Sequence, residues 1–341
     1  MKFSVCLTTA FEGVMVPIGF AQPADLVRQA RRCEAHGYDS VWGNDHITTQ
    51  DYVRNLHPGA VPNFYEPIVT LATIAGATTR IGLGTALTVL PMRDPVYLAK
   101  EALTLDRMSG GRFVLGVGLG AYREEFSAWG GSKVRGARRG DMMDEALAAL
   151  HLLFTEARCS FEGKYYAFRD IEMAPKSVHS TFPLFVGGHN LQAVERAARY
   201  GSGWLPGWRP LPELAERIGT LKARLIELRR DPETVEIAPQ FSVTIGRTLE
   251  EAQARHMASG LAAHRSSLAY TGRDLSQQIT ANLVGSPDII LEKISRLADI
   301  GVDHCCALMF PVDSVTEMDE QVEWFATEIM PYARGYSARR A

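Results

Sequence analysis

A histidine beside an aspartate, in the run Gly43-Asn44-Asp45-His46, is the first place along the chain where chemistry is expected. The preceding residues, Tyr38 to Trp42, have the length and apolar character of a buried strand. A histidine at a strand end can donate a hydrogen bond to a carbonyl or shuttle a proton near neutral pH. We therefore predict that His46 and Asp45 are catalytic. The competing interpretation is an aspartate that caps a turn, with the histidine packed beside it.

Glycines at two other strand ends form the second group of candidates. Gly116-x-Gly118-x-Gly120 closes the apolar run Phe113 to Val117, and Gly187-Gly188 closes Leu184 to Val186. Such turns expose backbone N–H groups and allow a phosphate to approach the chain closely. Glycines that merely permit a tight turn are the alternative. The first series is not the dinucleotide-binding fingerprint, because the acidic residue about twenty positions on does not end a strand.

Two other classes of catalytic site are disfavoured. The first strand carries no His-x-His pair of the kind that metal-dependent barrel hydrolases use. Paired carboxylates at successive strand ends, which a glycosidase needs, are also missing. Catalysis is therefore expected to depend on an organic cofactor, with no metal.

The composition of the chain limits its location and partners. A net charge of −3 gives no indication of nucleic acid or a membrane surface as a partner. No apolar run approaches the roughly 20 residues of a membrane span, and the N-terminus lacks the pattern of a signal peptide. The five cysteines share no CxxC spacing and are interpreted as reduced core residues. A cytoplasmic protein is therefore expected.

Strand patterns alternate with amphipathic helical patterns along the whole chain. The predicted strands are Phe3 to Leu7, Tyr38 to Trp42, Ile81 to Leu90, Phe113 to Val117, Leu184 to Val186, Gly203 to Leu205, Ile237 to Ile245 and Val302 to Phe310. This alternation predicts an α/β protein with one (β/α)8 TIM-barrel domain over residues 1–341 and insertions at about 121–139, 158–176 and 260–283. An open doubly wound sheet is the alternative. In a barrel, the residues after each strand gather on one face.

Taken together, these motifs resemble the luciferase-like superfamily of flavin and deazaflavin oxidoreductases. The matching segments, co-linear over most of the chain, are Glu34 to His46, Arg80 to Leu90, Pro95 to Gly120, Glu125-Phe126 to Gly130, Pro183 to Gly188, Ala197 to Trp204 and Gly285-Ser286-Pro287. The run LDRMSGGRFVLGVGLG is the most specific of them. The resemblance implies a bacterial-luciferase-like TIM barrel with the cofactor ring across its carboxyl-end mouth.

The resemblance also implies which residues hold the cofactor. A cis peptide at Ala86-Leu87, after Thr85, would press against the ring. The cofactor phosphate would approach Gly187, Gly188 and His189, and Gly118, Leu119, Gly120 and Tyr122 would run alongside. Tyr122 matches a ring-contacting tyrosine of bacterial luciferase. Leu119 departs from the pattern, because that luciferase has a phosphate-binding arginine at this place.

Two chemistries follow from the resemblance. The likeness of GTALTVLPMRDP and GNDHI to deazaflavin enzymes favours coenzyme F420-dependent hydride transfer to or from a small, largely apolar substrate. His46 would then be the proton donor and Asp45 its orienter. The alternative is an FMNH2-dependent two-component monooxygenase that uses O2 and a separate flavin reductase.

A non-catalytic flavin-binding barrel is the hypothesis from another functional class. A homodimer is expected by analogy with the family.

Six aromatic residues suggest an apolar pocket. They are Phe11, Phe20, Phe64, Tyr65, Trp204 and Trp208.

Overall fold

The computed structural model describes residues 1–267 and 275–336. Its strands are β1 Lys2–Cys6, β2 Ser40–Gly43, β3 Gly82–Thr85, β4 Thr88–Val89, β5 Phe113–Gly118, β6 Cys159–Glu162, β7 Ala167–Ile171, β8 Leu184–Gly187, β9 Gly203–Leu205, β10 Glu236–Ile237, β11 Gln240–Ile245, β12 Leu283–Gly285 and β13 His304–Met309. The helices are α1 Pro23–Ala35, α2 Asp51–Leu56, α3 Pro67–Ala77, α4 Pro95–Met108, α5 Arg123–Gly130, α6 Arg139–Thr155, α7 Leu191–Tyr200, α8 Leu211–Glu227, α9 Leu249–Ala258, α10 Gly260–Ser267, α11 Pro287–Asp299, α12 Val315–Glu328 and α13 Met330–Ala333.

A curled parallel sheet forms the centre of the molecule. Its strand order is β10-β9-β8-β5-β3-β2-β1-β13-β11-β12, with β4 paired to β5. The sheet returns on itself, because β10 and β11 lie in one stretch of chain, 236–245, that pairs first with β9 and then with β13. A bridge between Gly207 and Gln240 continues the closure. The predicted α/β barrel is thereby confirmed.

The predicted strand Ile81 to Leu90 is wrong in detail, and the predicted strand Ile237 to Ile245 is likewise divided, into β10 and β11. The apolar run Ile81 to Leu90 is not continuous, because β3 ends at Thr85 and the Ala86-Leu87 peptide bond is cis. The chain then resumes as β4, which pairs with β5, and turns into a short 3-10 helix at Leu90–Met92. The expected cis bond is present. Periodicity alone did not show that the run is divided.

The predicted insertions hold separate pieces of structure. Strands β6 and β7 form an antiparallel hairpin within residues 158–176. Residues 121–139 contain α5 and a 3-10 turn, Gly131–Val134. The third insertion, 260–283, contains α10, and its central part, 268–274, lies outside the described residues.

The motif LDRMSGGRF has a scaffolding role. The buried Asp106 carboxylate accepts hydrogen bonds from Ser177 Oγ at 2.8 Å and Val178 N at 2.9 Å. The Arg112 guanidinium donates to the carbonyls of Ala75 and Ile81, both at 2.9 Å. Arg112 thus satisfies a carbonyl near the end of α3, which the helix itself leaves unpaired, and one just before β3. The most family-specific motif therefore fixes the frame around β3 and β5.

The five cysteines are free and buried, as the sequence predicted. Cys6 and Cys306 pack inside the barrel against Trp42 and Phe185. The larger core lies between the strands and the surrounding helices. Among the described residues, no helix is long and apolar enough to cross a membrane.

A hydrogen-bonded chain joins three strands at the amino ends of the barrel. His304 contacts Glu236 Oε1 through Nδ1 and Ser4 Oγ through Nε2, both at 2.8 Å. Lys2 Nζ lies 2.7 Å from Glu236 Oε2. Burial raises the pKa of the Glu236 carboxyl, but His304 and Lys2 outweigh it and lower this pKa from 4.5 to about 2. Since β1, β10 and β13 all contribute, the charged form of Glu236 stabilises the closed sheet.

This pKa predicts an acid-sensitive contribution to stability. A carboxyl with a lowered folded pKa stabilises the protein above its unfolded pKa and loses that stabilisation as the pH falls from about 4.5 to about 2. We expect Glu236→Gln to remove about 3 kcal/mol of pH-dependent unfolding free energy across this window, since one pKa unit corresponds to about 1.4 kcal/mol. Denaturant unfolding at several pH values measures it. Glu292→Gln, in an exposed pair with Arg296, is the control and should leave the profile unchanged. Equal profiles for Glu236→Gln and wild type would contradict the prediction.

Candidate active site

The carboxyl ends of the strands open into a cavity of about 400 Å³. This volume is in the usual range for small-molecule sites, roughly 300–1,000 Å³. Most of the predicted site residues line it: Asp45, His46, Ala86, Leu87, Leu119, Gly120, Tyr122, Gly187, Gly188 and His189. Segments that are distant in sequence therefore meet at one mouth, as the barrel topology requires.

Two predicted cofactor-binding residues, Thr85 and Gly118, do not line the cavity. The hydroxyl of Thr85 is buried and donates to the Gly116 carbonyl at 2.8 Å. A Cβ added to Gly118 would lie 2.5 Å from Leu87 Cδ1, and one at Gly116 would collide with the Thr85 carbonyl. These two glycines therefore serve close packing of β5 against the end of β3 and against Leu87, which follows it. Of the predicted series, Gly120 lines the cavity, with a φ of +75°.

His46 is held by a carboxylate from another part of the chain. Its Nδ1 lies 2.9 Å from Glu125 Oε2. The other oxygen of Glu125 accepts from the backbone N–H groups of Ile47 at 3.1 Å and Thr48 at 3.4 Å. Since the carboxylate accepts the proton on Nδ1, we assign neutral His46 the tautomer that leaves Nε2 as a proton acceptor. Among the described residues, none makes a hydrogen bond to Nε2.

The rest of the His46 environment is aromatic. Its ring centroid lies 5.5 Å from that of Phe64 and 5.8 Å from that of Tyr122. The side chain is 16% exposed, whereas that of Glu125 is 5% exposed. The imidazole therefore lines the cavity, and its hydrogen bond to the buried Glu125 fixes its orientation.

Asp45 has a different role from the predicted one. Its carboxylate makes no hydrogen bond to His46 and instead accepts from Val89 N at 2.9 Å and from Arg93 Nη2 at 2.8 Å. Partial burial lowers the pKa of the Arg93 guanidinium, but Asp45 and Glu66 outweigh this effect and raise it. The prediction that Asp45 orients His46 is wrong, because its carboxylate is bonded to Val89 at the end of β4 and to Arg93 just beyond it. Asp45 fixes the stretch that follows the cis bond.

Glu125 was not predicted as part of the site. It lies in the first turn of α5, next to Phe126, and both side chains are buried. A glutamate on the apolar side of a short helix was the available signal, because a buried carboxylate requires a partner. Nothing in the sequence identifies that partner as His46, 79 positions away.

This geometry predicts that Glu125→Gln impairs turnover. The amide is isosteric but places an NH2 group or a weaker acceptor against His46 Nδ1, so we expect the turnover number to fall about 10- to 100-fold. Cofactor affinity and substrate KM should change little. The matched control is Glu124→Gln, at the adjacent, less buried position. A loss confined to KM would show that Glu125 does not act through His46.

The turn after β8 offers donors for an anion. Gly188 has a φ of +113°, and its carbonyl accepts from Trp204 Nε1 at 2.8 Å. Helix α7 begins directly after Asn190, whose side chain accepts from Ala193 N at 2.9 Å. His189, Asn190 and Ala193 all line the cavity. A helix N-terminus behind a glycine turn favours a phosphate at this place.

Helix α10 covers part of the mouth. Its residues Leu261, His264 and Arg265 line the cavity. The ring nitrogens of His264 lie 3.2 Å from the hydroxyl of Tyr122. Leu261 packs in a cluster with Met15 and Val16, from the loop after β1. Helix α10, in the predicted insertion, therefore contributes directly to the cavity, which the sequence did not indicate.

The predicted aromatic pocket is formed only in part. Phe11 and Trp208 line the cavity, and Phe64 reaches it indirectly, by packing on His46. Trp204 is buried within the core, and Phe20 and Tyr65 are not among the lining residues. Val14, Val89 and Met309 add aliphatic surface. In residues 1–267 and 275–336, no group of three or more His, Cys, Asp or Glu side chains is arranged to hold a metal ion.

Comparison with known proteins gives a consistent picture. The family profile described as luciferase-like monooxygenase matches residues 1–304. A Mycobacterium tuberculosis protein, Rv0940c, is 32% identical over 204 residues, which are 57% of this chain and 68% of that one. The F420-dependent glucose-6-phosphate dehydrogenase of Nakamurella multipartita is 30% identical over 196 residues, 56% of this chain. That match spans about half of the dehydrogenase, 54% of its length.

The solved structures include a protein of the same fold over the full length. The monooxygenase RslO1 from Streptomyces bottropensis superimposes with a TM-score of 0.78. The alignment covers 97% of this chain and 99% of that one, at 20% identity. At this identity the similarity establishes the fold alone.

Proposed function

The chain belongs to the luciferase-like monooxygenase family and is an oxidoreductase of that family, and we propose that it uses coenzyme F420 to exchange a hydride with a small organic substrate. In this proposal His46 transfers the accompanying proton. A carbonyl–alcohol pair is the substrate class that such a proton transfer suits, because the oxygen gains or loses a proton as the carbon gains or loses a hydride.

The observation that carries the proposal is the His46–Glu125 pair at the cavity wall. Glu125 holds Nδ1 at 2.9 Å, His46 lines the cavity, and Nε2 makes no hydrogen bond to the described residues. In the oxidative direction Nε2 accepts the proton of a substrate hydroxyl. In the reductive direction the imidazolium returns it, and Glu125 stabilises the positive charge that His46 then carries.

The residues present fit a deazaflavin or a flavin. Ala86 and Leu87 provide an apolar wall for a flat ring, and the turn from Gly187 to His189 would hold a phosphate against the start of α7. When bound, the deazaflavin supplies a carbon that accepts or donates hydride. The chain's own contribution is to orient the ring and substrate and to move the proton.

The choice of deazaflavin over flavin rests on two points. The matched dehydrogenase from Nakamurella multipartita is named as F420-dependent and is 30% identical over its aligned part. In addition, Leu119 lines the cavity with an aliphatic side chain. This side chain offers no charged donor to an FMN phosphate. Both points support a deazaflavin.

An isotope experiment tests the proposal. The F420-saturated protein is incubated under argon with a panel of small secondary alcohols deuterated at the carbinol carbon. We expect at least one of them to reduce the cofactor and leave one deuterium on it. The result that would overturn the proposal is a lack of deuterium transfer from every alcohol, together with O2 consumption and oxygenated product when the protein is supplied with FMNH2. That pair of results would identify a two-component monooxygenase.

A further inference from the structure

The carboxamide of Gln240 is an uncommitted polar group in the cavity wall. Gln240 is the first residue of β11, lines the cavity and is partly buried. Within residues 1–267 and 275–336, no residue makes a hydrogen bond to this carboxamide. A glutamine side chain has two N–H donors and a carbonyl acceptor. Gln240 therefore offers both kinds of hydrogen bond to a molecule in the cavity.

The backbone of Gln240 is fixed from two sides. Its N–H donates to the Pro206 carbonyl at 2.9 Å, and the residue forms a bridge with Gly207, just after β9. On the other side it pairs with Cys306 of β13. Because the main chain is held and the carboxamide is not, the side chain can turn toward a ligand without disturbing the sheet. The carboxamide is thereby kept at one place in the wall.

Other polar side chains of the wall are engaged in holding loops together. Asn44 Oδ1 accepts from Thr9 Oγ1 at 2.8 Å, and Asn44 Nδ2 donates to the Ala10 carbonyl at 3.0 Å. The two carboxylate oxygens of Asp45 are bonded to the segment after the cis peptide bond. The carboxamide of Gln240 has no such structural task. In a small-molecule cavity, a polar group that the fold does not use points to a ligand.

The wall between Gln240 and His46 is apolar. In the sheet, β13 and β1 separate β11 from β2. Met309 ends β13, Phe11 lies in the loop after β1, and both line the cavity. Since adjacent strands lie about 4.8 Å apart, three strand spacings separate the two polar residues by about 14 Å along the wall. The cavity therefore presents a polar group on each side of a short apolar surface.

We propose that Gln240 is a specificity-determining residue that hydrogen-bonds a neutral polar group of the substrate, a hydroxyl or a carboxamide. Such a group both donates and accepts, as the Gln240 carboxamide does. Met309 and Phe11 then contact the carbon chain between this group and the reacting carbon near His46. The substrate class is a secondary alcohol or ketone with a second neutral polar group a few carbon atoms away. The inference rests on the proposed function for the location of the reacting carbon.

The test compares 5-hydroxyhexanamide and hexane-1,5-diol with 6-methylheptan-2-ol, in which an apolar isopropyl group replaces the carboxamide. Calorimetry measures their binding to the full chain under argon, with and without reduced F420, which cannot oxidise these alcohols. We expect Gln240→Met to weaken at least one polar ligand about tenfold relative to 6-methylheptan-2-ol, because the polar group loses its hydrogen-bond partner. The polar ligand with the larger relative loss identifies the group. A parallel assay with oxidised F420 measures turnover of the same alcohols.

A second variant separates this role from a structural one. Gln240→Asn keeps the carboxamide but shortens the side chain by one methylene. It should therefore shift the preference toward 6-hydroxyheptanamide, which is longer by one methylene, and a general loss of structure would not produce this shift. Gln253→Met is the control, because Gln253 lies on α9 and does not line the cavity. It should match wild type.

The assignment of Gln240 is overturned if wild type binds none of these ligands, or if Gln240→Met leaves the relative affinities of both polar ligands unchanged. Retention of the wild-type preference for chain length in Gln240→Asn would overturn it as well. Binding that depends on Gln240, without reduction of oxidised F420 by the alcohols, would contradict only the proposed function. Turnover of the alcohols without any dependence on Gln240 would contradict only the assignment of Gln240.

Discussion

Replacing His46 by alanine is expected to lower turnover about a thousandfold, because general acid–base catalysis by a positioned side chain contributes roughly 10²–10⁴. The affinity for the cofactor should change by no more than about threefold, since the proposal places the cofactor ring against Ala86 and Leu87 and its phosphate near Gly188, with His46 acting on the substrate. The measurements are a steady-state turnover number and a fluorescence titration of the cofactor on the same preparation.

The control for this prediction is His151→Ala. His151 is exposed on α6, away from the cavity, and packs on Tyr200. It should retain wild-type turnover and cofactor affinity. If His46→Ala loses turnover and cofactor affinity by equal factors, His46 is a binding residue and proton transfer must be assigned elsewhere.

Introducing a negative charge at Gly188 is the second change with a large expected effect. Gly188→Glu would place a carboxylate at the turn where the cofactor phosphate is proposed to lie, so we expect cofactor affinity to fall at least a hundredfold. The substitution also strains the chain. The φ of Gly188 is +113°, and a Cβ there would lie 2.9 Å from that of Ala193. The expected loss therefore contains a steric part.

Gly188→Gln isolates the electrostatic part. Glutamine has the same size and meets the same backbone strain, but it carries no charge. We expect the glutamine variant to bind cofactor at least tenfold more tightly than the glutamate variant, with the difference decreasing as salt is added. Thermal unfolding should show equal stability for the two variants. Equal cofactor affinity in both would mean that the phosphate does not lie at Gly188.

The sequence predicted the frame because the frame depends on local patterns. Asp94 and Pro95 at the start of α4 and the glycines after it are signals of helix start and stop, and the buried strands are short apolar runs. The carboxyl ends of those strands then had to meet, which brought His46 and Gly188 to one cavity. Residues that directly follow strands were therefore the predictable part of the site.

The missed parts are those set by distant contacts. Glu125 reaches His46 from α5. Arg93 donates to the carboxylate of Asp45, which the sequence analysis expected to orient His46. Arg265 comes from an insertion whose pattern is weak in sequence. In each case the side chain has several partners of suitable charge, and only tertiary packing selects among them. Gly118 shows the reverse error, since a glycine needed for close packing looks the same in sequence as one that binds phosphate.

The most direct test of the proposed function is a pair of titrations of cofactor-free protein, one with F420 and one with FMN, followed by ligand fluorescence. The proposal predicts tight, saturable binding of F420, with FMN bound at least a hundredfold more weakly. Tight binding of FMN with negligible binding of F420 would contradict it and would make this chain the oxygenase component of a flavin-dependent pair. Binding of neither would contradict the cofactor assignment and favour a barrel that does not use a flavin-type cofactor.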